Sequence, residues 1–401
     1  MKNKIPKVVW LLSLVSLFND TASEMLYPVL PIFITQILGA PVFVLGIIEG
    51  VAEGTASLFK AIFGYYSDKL QKRKPFVVAG YSASAFSKII IALSYAWPMV
   101  LLGRFVDRLG KGARTGARDA MLLEQATEKN RGFIFGFHRA MDSTGAVIGP
   151  TIALVLLYLF HNNIRFILYI AAIPAFLGLL FFFFIKEPRK KMFTNKTKLT
   201  FSLKNVPGQF KIFLLGMVIF SIGNSSDTFL ILRAKNIGLA LPLVISAYIL
   251  YNIFYAVFST PAGRISDRLG PKKVFLVGLM IFVLVYAGFA FNRIPFFVWV
   301  LFAVYGLYIA LTDGVSKAWV GSMVDNAHAA TAYGTVYTIT SICTVAASII
   351  GGYLWSSYSP TATFLFAALC ALLAIVIFIT IPIKREVNVH AKVWKKGTAV
   401  S

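Results

Sequence analysis

Runs of about 20 apolar residues recur along the whole chain, parted by short polar stretches, and each matches the hydrocarbon thickness of a bilayer. They fall at 8–36, 42–64, 76–97, 98–122, 132–159 and 165–185, then at 210–233, 242–262, 274–291, 295–322, 331–356 and 361–383. The pattern predicts an all-α integral membrane protein with twelve transmembrane helices in two six-helix bundles. The first run follows MKNKIPK, which resembles the opening of a signal peptide. No small-residue cleavage site follows, and the apolar character continues to about Leu38, so the run reads as the first membrane helix.

The charges between the runs are sorted by side. Lys69–Lys74, Lys186–Lys211, Arg264–Lys273 and both chain ends are basic, and all fall on one side if every run crosses. The opposite loops, around Gly39–Pro41, Tyr95–Pro98 and Ser357–Pro360, carry no charge. By the positive-inside rule, both termini are expected in the cytoplasm, with the chain in the cell (inner) membrane. The expected organisation is an N-terminal bundle at 1–185, a cytoplasmic basic linker at 186–209, a C-terminal bundle at 210–383 and a basic cytoplasmic tail at 384–401. That tail either lies on the anionic leaflet or is merely solvated. An internal repeat supports the division. GYYSDKLQKRK (Gly64–Lys74) aligns with GRISDRLGPKK (Gly263–Lys273) at an offset of 199 residues, between the second and third runs of each half.

Composition narrows the function. The chain is 58% hydrophobic and only 14% charged, against about 25% charged in soluble proteins. A formal charge of +23 could suggest nucleic acid, but its placement in alternate loops explains it without one. Cys343 and Cys370 lie in apolar runs and suggest neither a disulfide framework nor a zinc site. There is no HExxH, no Gly-x-Ser-x-Gly elbow and no Gly-rich nucleotide loop ending in Lys-Ser/Thr. GKGAR is no such loop, because it lies inside a membrane run. No metal, no cofactor and no ATP-driven pumping are expected, and an intramembrane enzyme is a distant alternative.

The repeated loop resembles the signature of the major facilitator superfamily, G-x-x-x-D-R/K-x-G-x-R/K-R/K, and the resemblance covers essentially the full chain. Gly64, Asp68, Lys69, Arg73 and Lys74 match it in the first copy, where Gln71 replaces the second glycine; Gly263, Asp267, Arg268, Gly270, Lys272 and Lys273 match it in the second. Three further stretches resemble drug:proton antiporters of that family: YPVLP with Pro28 and Pro31, Arg108-x-x-x-Gly112, and Gly145-x-x-x-Gly149-Pro150. The glycine pair that trails the last motif is replaced by Ala153 and Leu154, which weakens the exporter assignment. The resemblance implies a secondary transporter working by alternating access, with the signature loops, Gly145, Gly149 and Pro150 in its gate.

The charges inside the runs say where chemistry would lie. Arg104, Asp107, Arg108, Lys111, Arg114, Arg118 and Asp119 all belong to the fourth run. At 100° per residue they span an arc of about 140°. Seven charges facing lipid would cost roughly 15–20 kcal/mol, so the stripe must face protein or a wet cavity. Partners stand on the other runs: Asp20 and Glu24, Glu49, Glu53 and Lys60, Lys88, and His138, Arg139 and Asp142. Depth sorts them. Arg114 and Arg118, with Asp119, are expected at the gate. Asp20, Glu24, Asp142 and Arg108 are expected to couple protons, because a desolvated carboxylate can load and release one near neutral pH. Glu49, Glu53, Arg104, Lys111, His138 and Arg139, with Asn224 and Asp227 from the second half, are expected in a substrate cavity. Tyr248, Tyr251, Tyr255, Tyr305 and Tyr308 either line that cavity or only pack. The expected function is proton-coupled export of a small organic solute by a monomer, with sodium left open as coupling ion. The alternative is proton-coupled uptake of an organic anion held by Arg104, Arg108 and Lys111.

Overall fold

The computed structural model describes residues 5–70, 72–126, 131–185, 207–324 and 329–382. The expected tail and, apart from residues 207–209, the expected linker lie outside them. The regular structure of the described residues is helical. The first half contains α1 (Lys7–Leu26), α2 (Val42–Leu70), α3 (Lys74–Ala92), α4 (Trp97–Glu124), α5 (Arg131–Leu159) and α6 (Ile164–Phe184, in three pieces). The second contains α7 (Gly208–Asn236, in two pieces), α8 (Leu241–Leu269), α9 (Pro271–Phe291), α10 (Pro295–Met323), α11 (Ala329–Ser357) and α12 (Pro360–Thr380). Ten of these are long and apolar enough to cross a membrane. The other two are α1, which carries Asp20 and Glu24, and α4, with its eight charges.

Local chemistry sets the ends. Pro98, Pro295 and Pro360 sit in the first turns of α4, α10 and α12, where no amide partner is lost. Ser359 caps α12 by accepting from the Ala362 amide at 3.2 Å. Gly270 turns the chain from α8 into α9 at φ +89°, a conformation that suits the glycine of the signature loop.

Two helices expected to be continuous are broken, and at matching places. Past α1 the chain continues as a short turn at Leu30–Ile32 and a π-helical turn at Phe33–Ile37. Pro28 and Pro31 lack amide donors and crowd the carbonyls behind them. In α7 the break falls between Gly223 and Thr228, where Asn224, Ser225, Ser226 and Asp227 compete for backbone partners. The offset of 199 that aligns the two loops also aligns Tyr27 with Ser226, and their hydroxyls meet at 3.5 Å.

Glycine brings the charged helix close to its neighbours. A Cβ on Gly112 would stand 2.8 Å from that of Phe59 in α2, and one on Gly110 would collide with the Gly80 carbonyl of α3. Between the halves, α2 and α11 form a seam. Gly46, Gly50 and Gly54 recur every four residues, against Ser348 and Gly352, Val345, and Val345 again. The Phe43 amide donates to Ser356 at 2.9 Å, and Ser57 meets Ser341 at 2.7 Å. Towards the basic end the halves part: Gly64, Gly136, Gly263 and Gly334 have open space where a side chain would go.

Gly46→Leu should force the seam apart while leaving each half folded. With both native cysteines replaced by serine, disulfide cross-linking of cysteines placed at 43 and 353, whose rings now lie 6.4 Å apart, should fall several-fold. Unchanged cross-linking would show that the seam tolerates a side chain there.

Candidate functional site

A cavity of about 350 Å³ lies between the halves, beside the two helix breaks. It falls in the lower range of volumes that hold small ligands. Its first-half wall is built from Asp20, Glu24 and Tyr27 after the turn of α1, Glu53 of α2, the charged face of α4, and Arg139 and Asp142 of α5. Asp227 from the α7 break and Tyr248, Tyr251 and Tyr255 of α8 form the opposite wall.

Most of the α4 charges are neutralised within the first half. Lys88 of α3 reaches Asp107 at 2.7 Å, and Ser84 also donates to that carboxylate. One terminal nitrogen of Arg104 donates to both oxygens of Glu49 at 2.8 Å. Arg108 stands 3.5 Å from Glu53. Arg118 pairs with Asp119 at 2.9 Å and donates to Ser16 of α1 at 3.3 Å. Arg114 lays its guanidinium over the Tyr81 ring at 4.5 Å. His138 pairs with Asp142 one turn on, at 3.3 Å.

Other bonds join the halves. Tyr248 donates to Glu24 at 2.9 Å. Ser226 donates to Glu49 at 3.2 Å, so the α7 break touches the buried Arg104–Glu49 pair. Arg139 donates to the Tyr255 hydroxyl at 3.3 Å, which donates to Asp313 at 3.0 Å; Lys317 completes the chain at 3.0 Å. Arg139, Ser143, Tyr255 and Ala256 line both the central cavity and a second one of about 580 Å³, which continues between α5, α8 and α10 to Asp267. The Arg139–Tyr255–Asp313 chain thus partitions the two spaces. Asp227 accepts from Tyr305 at 2.6 Å and from Tyr251 at 3.5 Å.

Several expected positions are corrected. Glu49, His138 and Asn224 do not line the central cavity. Glu49 and His138 are turned away into buried pairs, and Asn224 belongs to the broken turn of α7. Arg114, expected at the gate, lines the cavity, because the Gly80–Gly110 contact swings this part of α4 against Tyr81. Gly145 and Gly149 pack within the first half, under the Cβ atoms of Asp20 and Glu24, and Pro150 is buried beside them. In the signature loops, Arg73 pairs with Glu124 at 3.2 Å, and Lys69, Asp267 and Arg268 are exposed. Gln71 and the Asp68 side chain lie outside the described residues. Sequence reasoning passed over Tyr27, Ser226 and the glycines at 46, 50 and 54. The 199-residue offset and the four-residue glycine spacing were the signals for them.

The Major Facilitator Superfamily profile matches residues 12–247 and again 212–399. The chain belongs to the major facilitator superfamily. It is 38% identical to an uncharacterized MFS-type transporter of Methanocaldococcus jannaschii, over 92% of this chain and 94% of that one. It is 26% identical to the multidrug resistance protein MdtG of Proteus mirabilis, over 86% and 88%. The crystal structure of the nucleoside transporter NupG shares its fold, with a TM-score of 0.76 at 15% identity, over 94% of this chain and 99% of that one. As a superfamily member the protein is a multi-pass membrane transporter of small molecules.

The Arg104–Glu49 pair gives a stability test. Breaking one partner of a buried pair costs about 3–5 kcal/mol. Glu49→Gln and Arg104→Gln should each lower the melting temperature in detergent markedly. The double variant should melt well above the level expected from adding the two losses. Strict additivity would mean that the pair is not coupled.

Proposed function

We propose that this protein is a proton-coupled exporter that moves a small organic solute across the cell membrane as a monomer by alternating access. All twelve helices cross in this reading, with both chain ends in the cytoplasm. The observation that carries it is the bond from Tyr248 to Glu24, a carboxylate of one half held by a phenol of the other. Among the described residues Glu24 has no cationic partner in hydrogen-bond reach, and its one hydrogen-bond donor among them leaves when the halves separate. A carboxylate that changes surroundings with conformation binds and releases protons in step with it. Asp20, one turn back, and Asp142 of α5 belong to the same relay, with Arg108 as the fixed positive charge that stays ionised when buried.

The matched breaks of α1 and α7 support a binding site at the centre, as broken helices do in other transporters. The closed seam from Tyr27 to Ser57 and the open basic end describe an inward-facing state. Arg139–Tyr255–Asp313 is the thin partition towards the cytoplasm. The open space at Gly64 and Gly263 is what the signature loops, with Asp68, Arg73 and Arg118, close over in the outward-facing state. The likeness to a multidrug resistance protein supports export over uptake.

Reconstitution into proteoliposomes with an imposed pH gradient, and a screen of anionic, cationic and zwitterionic solutes, tests the reading. Wild type should exchange one class of solute for protons. Glu24→Gln should abolish gradient-driven accumulation. Transport that survives collapse of the pH gradient and follows sodium instead would overturn proton coupling.

A further inference from the structure

The central cavity holds two sets of charges that the protein itself leaves unpaired. At one pole, Glu24 and Asp227 come from opposite halves, and among the described residues their side-chain oxygens accept only from phenols: Tyr248 for the first, Tyr305 and Tyr251 for the second. Around them the rings of Tyr27 and Tyr248 stack at 5.6 Å, and those of Tyr248 and Tyr251 meet at 5.5 Å. Carboxylates among aromatic faces make a site for an amine, because the ring quadrupole and the anions both attract it.

The second set is Lys111 and Arg114 of α4, which line the same cavity. Among the described residues neither takes part in an ion pair, and one terminal nitrogen of Arg114, in a residue only 5% exposed, is buried without a hydrogen-bond partner. The neighbouring charges of α4 are already committed: Arg104 to Glu49, Arg108 to Glu53 and Asp107 to Lys88. Asp20 of α1, on the same wall of the cavity, lies within reach of their charge, but neither is hydrogen-bonded to it. Asp20 offers Lys111 and Arg114 a single negative charge between them, so a simple cation would leave one excess positive charge there, and a simple anion would leave Glu24 and Asp227 uncompensated. Leaving buried charge unpaired costs several kcal/mol. A solute bearing both signs satisfies both poles at once.

Resting on the transport reading above, we propose that the cavity binds a small zwitterion, its amine held by Glu24 and Asp227 among the tyrosines and its acid group by Lys111 and Arg114. The volume of about 350 Å³ limits it to a solute of amino-acid size or slightly more. The cation pole needs both halves, since Glu24 and Tyr27 come from one and Asp227, Tyr248 and Tyr251 from the other. The inward-facing state is therefore already formed around its ligand's amine.

Equilibrium binding to the full-length protein in detergent tests this without any ion gradient. A matched trio shares one ring: phenylalanine, phenethylamine and 3-phenylpropionate, at millimolar concentration, alongside a panel of other amino acids and short amino-acid conjugates. Zwitterions should raise the melting temperature, and the best should bind about tenfold or more tightly than its amine-only and acid-only counterparts. Lys111→Gln should erase the preference for the zwitterion over its amine counterpart, and Glu24→Gln should erase that over its acid counterpart. A merely structural role of either residue would leave those ratios unchanged. An amine or an acid that binds as tightly as its zwitterion overturns the proposal, as does a panel in which no zwitterion stabilises the protein. If a plain cation or anion then exchanges for protons in proteoliposomes, the transport reading stands and this one falls.

Discussion

A charge buried in an apolar helix bundle must find its counter-charge inside the protein, and α4 carries a stripe of seven between Arg104 and Asp119. The rest of the first half is arranged to meet that demand. Glycines at 80, 110 and 112 remove the side chains that would hold α3 and α2 away. Lys88 and Glu49 can then reach Asp107 and Arg104 at hydrogen-bond length. These pairs repay part of the desolvation that burial imposes. They also fix α4 in rotation, so that Arg108, Lys111 and Arg114 are left pointing into the space between the halves.

The second half answers with phenols rather than ions. Tyr248, Tyr251, Tyr255 and Tyr305 donate hydroxyls to carboxylates, and the rings of Tyr248, Tyr251 and Tyr305 pack tilted against one another in turn. The two walls therefore differ in kind although the backbones repeat with a common offset. The first wall is a rigid ionic lattice. The second is aromatic and neutral except at Asp227. Any solute that enters the space between them meets charge on one side and polarisable surface on the other.

Much of this was legible in the sequence. Run lengths gave the helical membrane architecture, and the repeated loop gave two related halves. The 140° arc of charges required an inward-facing stripe, which Arg104, Asp107 and Arg114 obey by burial. What could not be read was pairing across the gap. Glu49 and Glu53 lie four residues apart on α2, yet one is locked behind the wall and the other lines the cavity. That choice depends on how closely α2 approaches α4 and α7, which no spacing within α2 encodes. The tyrosines were ambiguous for the same reason, since a helical stripe of rings is the same whether it faces a core or a cavity. The α7 break was visible only as four polar residues in an apolar run, and its meaning needed Tyr27 opposite.

The glycine seam has a consequence for the speed of switching. Along Gly46, Gly50 and Gly54 the two helices meet nearly backbone to backbone, with few side chains seated in sockets. Two such smooth rods can roll past one another with little steric barrier, as a bearing does. The α5–α8 side is the opposite, because Arg139, Tyr255 and Asp313 must exchange hydrogen bonds before the halves can move there. In the alternating-access reading the energetic hill between the two states therefore falls on a few polar contacts between the halves, the Arg139–Tyr255–Asp313 chain, Tyr248–Glu24, Ser226–Glu49 and the serine bonds of the seam, which lets a few hydrogen bonds set the rate of a motion that involves the whole molecule.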